Sequence, residues 1–186
     1  KNMKKLIQVF LVMLTLVLLI NLQLVSASKE GSLDFLIGTG FLCDLDPSAC
    51  PVITMAENGD TVEVMGEGSF MLSDKSASGS GTFVHRDSSG NLIGEGTWTA
   101  TELVSYKSYG SGSVQGLPAE FEGGKALIKV HLVSTTGIEL DGILQVDCLL
   151  GDKIPSGAIE GITLALQGID FNFNKEVSGF TVFVRE

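Results

Sequence analysis

Residues 79–109 read GSGTFVHRDSSGNLIGEGTWTATELVSYKSY. Two runs rich in Thr, Val and aromatic residues flank the turn-forming cluster Asp87-Ser88-Ser89-Gly90-Asn91. Such runs around such a cluster predict a β-hairpin, here with a long second arm that carries Trp98, the single tryptophan. The stretch also shares a pattern with the segment before it. Gly66-Glu67-Gly68-Ser69-Phe70, Gly79-Ser80-Gly81-Thr82-Phe83 and Gly94-Glu95-Gly96-Thr97-Trp98 each place an aromatic residue two positions after a Gly-x-Gly pair. Glycine inside a strand marks a bend, a bulge or a close approach of backbones. Three such kinks predict a sheet that curves, with the three rings at one level of it. A phosphate cradle would need a helix to begin just after the glycines, and β-branched residues follow instead.

The rest of the chain reads the same way. Val52–Ala56 and Thr61–Met65 flank Glu57-Asn58-Gly59-Asp60, a strong hairpin turn because Asn and Gly both tolerate positive φ. Leu33–Phe41 and Ser69–Leu72 read as strands. Ala126–Val133 and Ile138–Cys148 alternate apolar and polar residues, the mark of a sheet with one dry face and one wet face. Ile159–Leu166, Ile169–Phe173 and Val177–Val184 follow as strands, the first being also compatible with a short helix. Gly110–Gly124 is the longest irregular stretch. Strands at this spacing, with no helix long enough for a crossover, must pair antiparallel. The expected fold is all-β: a single antiparallel up-and-down barrel of about eight strands, with a β-sandwich as the alternative.

The N-terminus differs in kind. Met3-Lys4-Lys5 precedes an apolar run, Leu6–Leu24, and then Val25-Ser26-Ala27. This predicts a helical signal peptide over residues 1–27, cleaved after Ala27, and a secreted domain over 28–186. An uncleaved anchor is the rival reading. The formal charge is −10, and Lys1, Lys4 and Lys5 hold three of the 12 basic residues, so the remainder is more acidic still. An acidic surface repels phosphate backbones and anionic membranes, which argues against nucleic-acid and membrane partners for the processed chain.

Cys43 and Cys50 lie seven residues apart in the loop CDLDPSAC, which suits a disulfide in an exported protein and leaves Cys148 free in an apolar strand face. A bond from either loop cysteine to Cys148 is the alternative. Asp44 and Asp46 lack the Asp-x-Asp-x-Asp-Gly spacing of a calcium loop. His85, His131 and the cysteines lack zinc-ligand spacing, so no metal or cofactor is expected.

Strand parity points to a candidate pocket. Phe83 and His85 share one face of the first hairpin arm, while Trp98, Glu102 and Tyr106 share one face of the second. Turned inward together, the five would line an aromatic-walled cavity with a His/Glu pair. The functional expectation is an exported, non-enzymatic protein that binds a small apolar ligand or serves as an interaction module. The alternative is an isomerase or cyclase using His85 and Glu102 as acid and base.

In architecture the chain is similar to the small barrels of the lipocalin, dirigent and allene oxide cyclase families. The run Leu117-Pro118-Ala119-Glu120-Phe121-Glu122-Gly123-Gly124 resembles the glycine-and-phenylalanine turn of the last two. The Gly-x-Trp that lipocalins carry near their first strand is missing, since Gly96-Thr97-Trp98 lies mid-chain. The resemblance implies a fold and transfers no site residue.

Overall fold

The computed structural model describes residues 31–186, so the proposed leader and its cleavage site lie outside the described residues. Ten strands form one antiparallel sheet: β1 (Ser32–Ile37), β2 (Val52–Ala56), β3 (Thr61–Met71), β4 (Ala77–Arg86), β5 (Leu92–Ser111), β6 (Phe121–Ser134), β7 (Glu139–Cys148), β8 (Gly161–Leu166), β9 (Phe173–Ser178) and β10 (Thr181–Arg185). A short helix, α1 (Phe41–Leu45), and a 3-10 turn (Pro47–Ala49) interrupt the path from β1 to β2.

The pairings return on themselves. β3 is lined along one edge by two strands in succession: β2 faces its first half, Thr61 to Val64, and β1 its second, Gly66 to Met71. β9 pairs with β2 and β10 with β1, so these two are likewise successive parts of one ribbon. Counted by ribbon, the sheet is a ring of eight in which each member pairs with its sequence neighbours and the last meets the first. Some joints are long: β6 and β7 pair from Gly124–Cys148 to Val133–Glu139. Others are short. β8 meets β9 at Leu164 and Phe173, and β10 meets β6 at two pairs.

The repeated glycines explain the curvature. Gly66 lies opposite Gly81, and Gly68 opposite Gly79. Trp98 lies over the first pair and Phe35 over the second. A Cβ at Gly81 would sit 2.7 Å from Trp98 Nε1, and one at Gly68 would sit 2.6 Å from Phe35 Cζ. The indole nitrogen donates to the Met65 carbonyl at 3.1 Å. The three aromatics of the repeat do not share one level, because antiparallel neighbours run the motif in opposite directions. Phe70 pairs near Ala77 and Phe83 opposite Gly96. Phe35 instead bridges two of them, with its ring 6.2 Å from Phe70 and 6.5 Å from Trp98. Phe183 and Tyr106 extend the cluster, each within 6 Å of Phe70. Val62, Val64, Ile128, Val130, Leu144 and Leu164 fill the interior beyond it.

Three expectations need correction. The stretches 61–65 and 69–72 are one strand, with Gly66 and Gly68 inside it. The predicted strand 169–173 begins only at Phe173, while 177–184 is broken at Gly179-Phe180. Residues 38–41 leave the sheet and lead into α1, a helix too short for apolar periodicity to reveal.

Gly81→Ala is expected to lose about 1–3 kcal/mol through overpacking against Trp98 and the β3 backbone. Gly94→Ala, whose new methyl meets nothing within 4 Å, is expected to stay within about 0.5 kcal/mol of the parent. Urea unfolding followed by Trp98 emission measures both.

Candidate functional site

Phe83 and His85 lie on β4, while Trp98, Glu102 and Tyr106 are placed by β5, a strand of 20 residues with three register shifts against β6. Thr101 is the extra residue at the first shift and Val104 at the second, since Ala100 pairs with Val130, Glu102 with Lys129, Leu103 with Ile128 and Ser105 with Leu127. Each bulge reverses the inward–outward alternation. One bulge separates Trp98 from Glu102, so Glu102 turns outward, half exposed, and takes the Lys129 ammonium at 2.7 Å. Two bulges separate Trp98 from Tyr106, so Tyr106 returns to the interior. Simple parity holds for Tyr106 because the two errors cancel.

His85 and Glu102 are not brought together. His85 pairs opposite Gly94, eight residues up β5 from Glu102, or about 26 Å at strand rise. The His85 ring lies 5.3 Å from Phe173, and its Nε2 is 3.2 Å from Asp60 Oδ2. Phe83 packs part-buried against the core. Trp98 is buried among side chains, and the Tyr106 hydroxyl donates to Glu122 Oε1 at 3.0 Å. Burial, then the Glu122 charge, pushes the Tyr106 phenol far above its ordinary value. Glu122 also receives the Arg185 guanidinium, which ties β10 to β6 beside their two-pair contact. This constellation is therefore a packed core with polar ends.

Another region has the shape of a site. A cleft of about 400 Å³ opens beside the break in β1–β2 and β9–β10. Its lining is almost wholly carbon: Phe41, Leu42 and Leu45 from α1, Leu117 and Phe121 from the segment before β6, and Leu149, Leu150 and Phe180 opposite. The Phe41 and Phe121 rings stack at 5.4 Å, nearly parallel. Leu45 is 76% exposed, Phe180 44% and Leu117 40%, so the mouth presents apolar surface to solvent.

Local chemistry builds the cleft. Both strand breaks occur at glycines with positive φ, Gly38 and Gly179. A Cβ on either would run into Val52, so the chain crosses itself tightly here. The 38–51 excursion is fixed to Phe180 by two backbone bonds, Gly38 N to Phe180 O and Phe180 N to Ala49 O. The Cys43–Cys50 disulfide closes the excursion, and Asp46 caps the 3-10 turn by accepting from Ser48 N at 2.8 Å. Cys148, the free cysteine, is buried in the wall, and burial pushes its thiol well above the ordinary range.

Glu160 lies at the base. Its carboxylate accepts from Leu149 N at 2.6 Å, Thr181 N at 2.8 Å and Thr181 Oγ1 at 3.0 Å. Burial raises its pKa, and the three donors pull part of the way back. Sequence reading missed this site because its lining comes from four separated segments, none of which carries a motif. The visible signals were the disulfide loop and the Leu117–Gly124 turn. Among the described residues no group of three or more His, Cys, Asp and Glu could hold a metal ion, and no helix is long and apolar enough to cross a membrane.

Comparison with known proteins yields no match: no family model fits, and neither a curated protein nor a solved structure matches the chain.

Glu160 gives a pH signature. Its folded-state pKa is raised, so the folded chain holds this proton more tightly than the unfolded one. Its stabilising share is full below the ordinary carboxylate value and is lost as pH rises through the folded value. The stability advantage of the parent over Glu160→Gln should therefore shrink as pH rises from below the ordinary carboxylate value through the raised folded one. Paired urea titrations measure it, and an advantage that grows with pH would contradict the assignment.

Proposed function

We propose that this chain is an exported binding protein, a lipocalin- or dirigent-like barrel in general architecture, that takes a small apolar molecule. The site is the cleft between α1, Leu117 and Phe180, outside the ring. The observation that carries this reading is the cleft itself: about 400 Å³, lined almost entirely by carbon and open to solvent at Leu45, Leu117 and Phe180. Small-molecule sites span roughly 300–1,000 Å³ and are lined mainly by apolar and aromatic side chains. Export is supported by the disulfide, which persists in oxidising compartments, and by the leader-like N-terminus. In the interior, Trp98, Phe35, Phe70 and Phe183 are buried in one aromatic cluster, which supports placing the ligand elsewhere. The wall geometry is set by a covalent tether, since α1 lies within the loop closed by Cys43 and Cys50.

The neutral fluorescent probe N-phenyl-1-naphthylamine tests the reading. It should bind with about one-to-one stoichiometry, leave Trp98 emission unquenched, and lose about tenfold in affinity in Leu117→Asp, roughly the cost of a charge at an apolar contact. Binding that persists in Leu117→Asp and quenches Trp98 would return the ligand to the ring interior.

The double variant Cys43→Ser/Cys50→Ser should keep the far-ultraviolet spectrum of the ring, lose about 2 kcal/mol of stability from a loop of this length, and bind the probe more weakly. Isothermal titration alongside urea unfolding separates the two effects.

A further inference from the structure

We infer that the occupant of the cleft is a cationic amphiphile, with its hydrocarbon part against Phe41, Leu117 and Phe180 and its charged head at the rim. This rests on the cleft being a small-molecule site and adds the sign of the head group.

The lining decides the buried half of the ligand. Glu160 is the one carboxylate among the lining residues, and both its oxygens are engaged by Leu149 and Thr181. A polar group pushed to the base would exchange water for carbon, which costs free energy. The buried part is therefore hydrocarbon, and any polar part stays at the open side.

The exposed residues next to the lining in sequence decide the exposed half. Asp44 and Asp46 flank Leu45, Glu120 precedes Phe121, and Asp152 stands two residues after Leu150; all four are exposed. Hydrogen bonds from Ser48 hold the Asp46 carboxyl below its ordinary range, so it stays ionised. The segments 38–51, 112–122, 149–160 and 179–182 contain a single basic residue, Lys153. The chain as a whole carries a formal charge of −10, which adds the same sign at longer range. An anionic head, such as a fatty-acid carboxylate, meets repulsion at this mouth, and a quaternary or protonated amine meets attraction. Both effects are surface electrostatics, so salt must weaken them. The screening length is about 30 Å at 0.01 M and about 3 Å at 1 M.

The experiment displaces bound N-phenyl-1-naphthylamine from the exported protein with three decyl compounds below their micelle concentrations: decyltrimethylammonium, decyl maltoside and decanoate. At low salt the cation should displace the probe at roughly tenfold lower concentration than the anion, with the neutral compound between them. At about 1 M salt the spread should fall below about twofold. Asp44→Lys/Glu120→Lys, two exposed charge reversals, should collapse or invert the order with the circular dichroism spectrum unchanged. Probe binding with equal displacement by all three compounds would overturn the inference and leave the cleft reading intact. An order that survives the double reversal would overturn it as well. Failure of the probe to bind at all would sink both. Co-sedimentation with phosphatidylcholine vesicles, without displacement by the monomers, would overturn it in favour of a membrane surface.

Discussion

Two large rings can enter this sheet's interior only where the strands beneath them have no side chains. Trp98 needs Gly66 and Gly81, and Phe35 needs Gly68 and Gly79. A glycine inside a strand costs roughly 0.5–1 kcal/mol in backbone entropy. Burying a large apolar ring returns about 1.5–3 kcal/mol, and a well-placed aromatic pair adds about 0.5–1.5. Four glycines against two buried rings, with Phe70, Tyr106 and Phe183 in contact, therefore comes out in favour of the arrangement. The glycines also let β3 and β4 bend, which brings the first and last ribbons within pairing distance.

The contact between β10 and β6 depends on what happens at the ends of that aromatic cluster. Tyr106 brings a hydroxyl into the core, and Glu122 accepts it. Glu122 is buried, so its charge needs a partner, and Arg185 supplies one from the last strand. A polar requirement created by β5 is thus met by β10, across a joint of only two backbone pairs. Tyr109 repeats the arrangement outside the ring, where its hydroxyl donates to buried Asp147 at 2.8 Å and Lys125 neutralises that carboxylate. Among the described residues no buried side-chain nitrogen or oxygen lacks a partner, so these charged groups add specificity to the register without stranded desolvation.

The all-β class, the antiparallel pairing and most strand positions were legible because apolar alternation and turn residues are local signals. The Cys43–Cys50 disulfide was legible for the same reason: the two lie only seven positions apart in one loop. What escaped reading is non-local. Nothing in Thr101 or Val104 announces a bulge, because a bulge is defined by the partner strand, and so simple alternation puts Glu102 on the face of Trp98 when it faces Lys129. The breaks at Gly38 and Gly179 were equally hidden, since each glycine matters only for its approach to Val52. The five-residue pocket failed as a unit for this reason, although Trp98 and Tyr106 do face inward.

The position of the cleft follows from the same constraint that closes the ring. Trp98, Phe35, Phe70, Tyr106 and Phe183 pack together in the interior, and spreading them would expose the aromatic surface that holds the strands together. The apolar cleft is built from chain that leaves the sheet. The β1–β2 and β9–β10 ribbons are each interrupted, and they are interrupted beside one another, so the 38–51 excursion leaves the sheet without opening it. Two backbone bonds to Phe180 and a disulfide restore the rigidity that the lost ladder would have provided. The excursion can then change in sequence without disturbing the glycine–aromatic core, and this separation of loop from scaffold is what lets an apolar, solvent-facing cleft persist on a stable fold.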